Sequence, residues 1–453
     1  MNVLLVNPYI HDFAAYDLWM RPHGLLKIAA ALRQAGDTVS LVDCLDRKDP
    51  AIFRFYKRKQ PRSDPYDCGK YPKIEIEKPS QLRKITRRYF RYGIPLELFQ
   101  ERLTDTARPN LIMVTSVMTY WYPGVQETIG ILKLRFPGCP VILGGIYPTL
   151  CPEHAATCSG ADYVVSAPDT LKGHCANGVD AGSCSPDEIA TLLSVARNET
   201  IPPAYDLLER NNAAALQTSY GCPFSCTYCA SKLIAPQFVQ RDHEAIMTEL
   251  RNDGKLGITN IAFYDDALLF KADSHFIPLM ERIVAEKFHF FFHTPNGLHA
   301  RFITPRVAAL MKAAGFKTIR LSLETTSPER QQATGNKVTN EELRRAVYCL
   351  SEAGIPPHEL EVYLLAGLPG QTIGEVKSDI DFVHRLGARA SIASYSAIPG
   401  TADWKKMVQE GVIADDLDPL WHNHTIFPSI NEEFTVDKVR ELRKETALLN
   451  NTY

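Results

Sequence analysis

Three thiols stand within eight residues of this chain. Cys222, Cys226 and Cys229 are spaced C-x3-C-x2-C in the run Ser219-Tyr220-Gly221-Cys222-Pro223-Phe224-Ser225-Cys226-Thr227-Tyr228-Cys229. A loop with this spacing can wrap around one centre and turn all three sulfurs toward it. Thiolates are the ligands of iron–sulfur clusters, and three rather than four would leave one iron open to a substrate or cofactor. Zinc is the rival metal, but a structural zinc takes four protein ligands. Cys184 and Cys349 are remote from the loop in sequence, and His243 is the remaining candidate for a fourth donor. Unliganded buried thiols are the other alternative, which three cysteines crowded into one polar loop disfavour.

The loop needs a scaffold, and the flanking sequence supplies one. Ala213 to Thr218 reads as a strand that runs straight into it. Further strands are predicted near 259–264, 288–293, 317–323, 359–365 and 391–396. Helices are predicted near Asp242–Leu250, Asp273–Glu286, Pro305–Ala314, Asn340–Ala353 and Ile373–Leu386. Alternating β and α units imply a parallel sheet with chemistry at the strand C-terminal ends.

The cysteine motif, with its aromatic residue before the last cysteine and its place at the end of the first of six βα units, resembles the radical S-adenosylmethionine (radical SAM) signature from about Ala213 to Glu410. The resemblance implies a partial (β/α)6 barrel and a [4Fe-4S] cluster held by Cys222, Cys226 and Cys229. The open iron would bind SAM, whose one-electron cleavage gives a 5′-deoxyadenosyl radical. It also implies cofactor contacts at Tyr228, at Asp265 in preference to Asp266 for the SAM ammonium, at Ser322 and Glu324 for its ribose or amino acid, and at the Gly367 and Ile398 loops beside the adenine. Period-2 alternation puts Arg320, Ser322 and Glu324 on one face, so an internal Arg320–Glu324 ion pair is the competing reading. His293 and Asn296 are candidate substrate-facing groups, each with a structural alternative as a satisfied barrel residue.

Ahead of the barrel, Val3 to Val6, Thr38 to Val42, Leu111 to Val114, Val141 to Leu143 and Ala161 to Val165 read as strands, with a helix at His23 to Gly36. This is a doubly wound, Rossmann- or flavodoxin-like α/β pattern. Over about 1–46 and 109–168 it resembles the cobalamin (B12)-binding domain fused to many radical SAM barrels. The resemblance implies a nucleotide tail beside Ser116, Gly144 and Gly145, and a corrin near Tyr120, Trp121 and Tyr122. The glycine pair could instead merely turn the chain. The D-x-H-x-x-G motif that ligates cobalt in B12 mutases is absent, so a vestigial domain stays open.

The expected organisation is therefore 1–168 as the α/β domain with an insertion at 47–108, 169–210 as a linker, 211–426 as the barrel, and 427–453 as a helical extension. The insertion carries 17 Lys/Arg against 8 Asp/Glu, interleaved with aromatics. That composition could hold nucleic acid, but a locally basic, packed excursion is the expected reading. Over 453 residues the chain is 45% hydrophobic and 23% charged with net charge −2, which excludes a globally polyanion-seeking surface. No apolar run is long enough to span a bilayer. Eleven cysteines without a secretory-type start point to reduced thiols in the cytoplasm.

The expected function is a cobalamin-dependent radical SAM methyltransferase acting on a small molecule or lipid, with an electron donor such as flavodoxin or ferredoxin as partner. A non-methylating radical reaction is the alternative, and a zinc-dependent nucleic-acid-binding protein the remote one. With no further C-x-x-C pair, no auxiliary-cluster domain is expected.

Overall fold

A computed structural model describes residues 1–56, 63–167, 170–172, 200–427 and 433–451. Cys175, Cys184, residues 57–62 of the basic insertion and most of the 169–210 stretch lie outside the described residues. The chain forms two compact units, Met1–Ala214 with Thr248–Gly257, and Ala215–Met247 with Ile258–Tyr453.

In the first unit, β1 (Asn2–Asn7), β2 (Thr38–Asp43), β3 (Leu111–Val114), β4 (Val141–Leu143) and β5 (Tyr163–Ala167) pair in parallel in the order 5-4-3-1-2. β6 (Thr170–Lys172) adds an antiparallel edge to β5. The helix His23–Gln34 lays Leu25, Ala29 and Leu32 on Val3, Leu5 and Val39, which is why its apolar residues recur at helical spacing. The strand order reverses between β1 and β3, the point where open α/β sheets bind ligands beyond their strand ends.

The insertion is packed structure. Ile10–Asp12, Phe90–Tyr92 and Lys73–Glu75 form a three-stranded antiparallel sheet, followed by a helix at Leu96–Asp105. Tyr71, Tyr89, Tyr92 and Phe99 are buried. The Lys73 ammonium lies 3.8 Å from the Phe90 ring centroid. These rings serve the core and cation–π contacts rather than forming an open stacking face.

In the second unit, β7 (Ala213–Leu216, whose first two residues belong to the first unit), β8 (Asn260–Phe263), β9 (Phe291–His293), β10 (Leu298–His299), β11 (Phe316–Glu324), β12 (Leu360–Ala366) and β13 (Arg389–Ser394) form one sheet. Its path runs β7-β8-β9-β11-β12-β13, with β10 on β11, and the registered neighbours from β8 onward are parallel. This is the open barrel of βα units. Phe263, Phe292 and Phe316, from β8, β9 and β11, pack ring against ring at 5.4–5.5 Å. Two of its helices start on capping boxes, Thr339 with Glu342 and Thr372 with Glu375, which satisfy donors that the first turn leaves orphaned.

Candidate active site

The cysteine loop leaves β7 and is clamped from two sides. Thr227 donates its N–H to the Thr334 carbonyl (3.3 Å), and Asp403 donates its N–H to the Thr227 carbonyl (3.1 Å). Gly335 presses against the loop: with φ +106°, an added Cβ would stand 3.0 Å from the Ser225 carbonyl oxygen and 3.1 Å from Cys226 Cα. Only glycine accepts that conformation and that approach without strain.

Cys222, Cys226 and Cys229 line one cavity of about 300 Å³ at the strand C-terminal ends. Cys222 and Cys226 are half-buried and Cys229 is exposed. Burial pushes the Cys222 thiol up to about 11, and burial also raises Cys226, with the Lys337 ammonium opposing it. A metal binds thiolate, so loading this site must release protons. Among the described residues, no three His, Cys, Asp or Glu side chains converge closely enough to hold a single metal ion. One zinc needs all donors within about 2.3 Å of a point, whereas a multi-iron cluster presents separate corners to thiolates that stand apart. The donor set therefore fits a cluster better than zinc.

The same cavity collects Tyr228, Asp266, Asn296, Ser322 and Glu324. Asp265 is not among them. It is 4% exposed, and its carboxylate accepts from the Thr218 N–H (3.0 Å), Thr218 Oγ1 (2.8 Å) and Ser219 Oγ (2.7 Å). Of the two adjacent acids, Asp265 ties β7 to β8 and Asp266 faces the cysteines. This corrects the preference for Asp265. Burial raises the Asp266 carboxyl, while Ser231 and Lys337 act to lower it. Gly367 and Ile398 are not in the lining either. The Gly367 N–H donates to Gln371 Oε1 (2.9 Å), and the Ile398 carbonyl accepts from Thr401 Oγ1 (2.7 Å), so both serve their own loops. His293 is fully buried between Thr318 Oγ1 (3.0 Å) and Asn260 Oδ1 (3.1 Å), a satisfied barrel residue.

The Arg320–Glu324 pair does not form. Arg320 pairs across the register with Glu361 on β12 (2.7 Å), and Glu324 pairs with Lys337 (3.0 Å). The cause is a register shift between Ser322 and Glu324, with Glu324 at φ +72°. Left-handed backbone at a non-glycine strand end is strained, and such strain concentrates at functional sites. Lys337 also donates to Ser322 Oγ (3.0 Å). Burial alone would lower its ammonium, but Glu324 beside it carries it above the ordinary lysine value. Lys337 and His299, both in the lining, escaped the sequence reading. Lys337 lies in a loop with no motif, and His299 looks like any histidine after an apolar residue.

In the first unit, the Ser116 hydroxyl donates to the Gly144 carbonyl (2.9 Å). Gly145 has φ +102°, and a Cβ there would lie 2.1 Å from the Ser116 carbonyl oxygen, so the β4 turn requires glycine. A Cβ at Gly144 meets nothing within 4 Å, which leaves room for a ligand. Tyr120 and Tyr122 are buried in the protein, and the Trp121 indole donates to Asp12 (2.8 Å). A separate cavity of about 190 Å³ beyond β2 is walled by charged residues including Asp43, Arg102 and Arg210.

Residues 216–383 match the model of the Radical SAM superfamily. Among curated proteins, an uncharacterized methyltransferase of Pyrococcus horikoshii is 26% identical over 260 residues, 54% of each chain. The chain thus spans about half the length of that relative. Among solved structures, the radical SAM methyltransferase TsrM from Kitasatospora setae, with cobalamin and a [4Fe-4S] cluster bound, superposes with TM-score 0.63 at 18% identity. That match covers 90% of this chain and 78% of TsrM. The cobalamin-dependent SAM radical enzyme OxsB gives TM-score 0.56 at 14% identity, over 90% of this chain and 60% of OxsB. At such identities the likeness is one of fold.

Proposed function

We propose that this chain, a radical SAM enzyme by its domain at residues 216–383, works with cobalamin to methylate an unactivated carbon of a small-molecule or lipid substrate. Cys222, Cys226 and Cys229 would hold the [4Fe-4S] cluster, with Asp266 and the Lys337–Glu324–Ser322 group as polar contacts for SAM. Bound there, the cluster supplies the electron that cleaves SAM to a 5′-deoxyadenosyl radical, and cobalamin would supply the methyl carrier. The protein's own part is to aim and enclose. Asp266 offers a carboxylate to an ammonium, Lys337 holds Glu324 and Ser322 in place, and the Gly335 loop holds the cysteines. The single observation that carries the reading is the convergence of three thiols from one loop on a strand-end cavity with these polar groups.

Cobalamin is assigned to the first unit on its doubly wound order and on the open space at Gly144, beside Ser116 and Gly145. A non-methylating radical reaction is the second reading, favoured by the burial of Tyr120 and Tyr122, which leaves no exposed tyrosine face for a corrin. A flavodoxin- or ferredoxin-type protein is the proposed electron donor. Among the described residues, no helix is long and apolar enough to cross a membrane.

The test is anaerobic reconstitution with iron, sulfide and hydroxocobalamin, then gel filtration, then reduction in the presence of SAM. Retention of the corrin absorbance and formation of 5′-deoxyadenosine are expected. A loaded cluster that yields no 5′-deoxyadenosine sinks the radical reading, and loss of the corrin on the column removes cobalamin from it.

A further inference from the structure

We propose that His299 is a positioning residue of the cysteine cavity, donating its Nδ1–H to an electron-rich acceptor of the group bound there. The inference rests on the cluster-and-SAM reading above and adds a residue to it.

Four observations converge on this side chain. His299 ends β10 and lines the cavity that the three cysteines open into. It is 5% exposed, and its Nδ1 finds no hydrogen-bond partner. Its ring is not free to turn away. It stacks on Phe224, between the first two cysteines, with centroids 4.6 Å apart and planes 29° from parallel, and Phe302 lies 6.0 Å away. Its backbone is registered opposite Ser322 in β11, which sets it on the strand-end row that carries Ser322 and Glu324.

A buried polar nitrogen without a partner destabilises the fold, and native proteins rarely keep one without use. The neighbours do not supply the missing bond. Lys337 has only donors, which go to Ser322 and Glu324. Burial, with Lys337 and Arg301 adding to it, holds the imidazole neutral, down to about 3. A neutral ring carries one N–H. With cationic groups nearby and thiolates in the same cavity, an electron-rich acceptor is the complement of that N–H. Two acceptors have this chemistry, a sulfur of the cluster and an oxygen of SAM. Hydrogen bonds to cluster sulfurs shift reduction potentials, while a hydrogen bond to SAM sets its affinity.

The experiment compares wild type, His299→Phe and His299→Asn as anaerobically reconstituted full chains with measured iron and sulfide content. Phe keeps the stack on Phe224 and loses the N–H; Asn restores a donor near the Nδ1 position. The first arm is a redox titration without SAM, followed by electron paramagnetic resonance. The second is equilibrium binding of SAM to the oxidised, loaded protein. If the acceptor is a cluster sulfur, Phe moves the potential to more negative values and Asn returns it toward wild type. If the acceptor is on SAM, the potential holds, Phe weakens SAM binding about tenfold, and Asn recovers most of it. Wild-type potential and wild-type SAM affinity in both variants would overturn the proposal. Loss recovered by neither measure in the Asn variant would also count against it, because packing alone would then explain the Phe variant. A wild-type protein that takes up no cluster or binds no SAM is a different failure, that of the underlying reading.

Discussion

Two sets of strand ends in this chain have the same parallel βα architecture and use it in opposite ways. Beyond β3 and β4 of the first unit, the polar groups bond to one another. Ser116 Oγ donates to the Gly144 carbonyl, and the Ile146 N–H donates to the Ser116 carbonyl (3.0 Å). What remains open is shape, the empty space at Gly144. Beyond β7 to β13, by contrast, three thiols open into one cavity, and the buried His299 Nδ1 in the same lining has no hydrogen-bond partner. One site can recognise a ligand by fit, whereas the other has bonds waiting to be made. A parallel sheet fixes where a site sits, and the loop residues decide which kind it is.

The sharpest way to break this contrast is at the cysteines. Cys226→Ala should remove the cluster absorbance and all SAM cleavage, since two thiolates cannot hold the centre. Retention of either by the reconstituted variant contradicts the ligand assignment.

Next in size is the ion pair. Lys337→Met strips Glu324 of its partner inside the cavity, and breaking such a pair costs about 3–5 kcal/mol. Adding Glu324→Gln should recover most of that loss in a urea melt without restoring SAM binding. Equal stability of the single and double variants would show that the pair is not coupled.

The first unit offers a neighbouring-glycine comparison. Gly145→Ala meets the Ser116 carbonyl and a left-handed φ, so a loss of about 2–4 kcal/mol is expected. Gly144→Ala should stay within about 0.5 kcal/mol in stability while weakening hydroxocobalamin retention. If Gly144→Ala changes stability and not retention, the open space there is no ligand site.

The smallest effect concerns Asp43. Burial first, and then Asp46, raise its carboxyl to about 6 from an ordinary 3.8. The folded state therefore binds this proton more tightly than the unfolded one. Its contribution is favourable at low pH and is lost as pH rises from about 4 through 6. Asp43→Asn should then gain roughly 1–3 kcal/mol above pH 6, with Asn7 and Leu45 still able to donate to the amide oxygen. Thermal melts across pH 4–8 check it, and an unchanged wild-type-minus-variant difference would remove Asp43 as the source.

Much of the architecture is legible in the linear chain because it rests on short-range rules. The helix predicted at Pro305–Ala314 has those bounds in the structure, since Thr304 caps it and Gly315 ends it in a left-handed turn. The strand predicted at 213–218 stops at Leu216, because Thr218 turns out of the ladder to bind Asp265. β10 gives no signal in the linear chain, for two residues carry no period. The site was harder. Strand alternation places Ser322 and Glu324 together, but the register shift between them and the choice of Lys337 over Arg320 as partner are not functions of spacing.

The division follows from the range of the forces involved. Residue spacing by itself determined the three-thiol loop and the βα order on both sides of it, because sulfur count, hydrophobic period and turn chemistry are local. Tertiary structure alone decided that Asp266 rather than Asp265 faces the cysteines, that Glu324 belongs to Lys337, and that His299 is left with a nitrogen unpaired. Each of those outcomes depends on which way a side chain points and on what a distant segment brings to meet it. Direction and long-range company are settled only when the chain closes on itself.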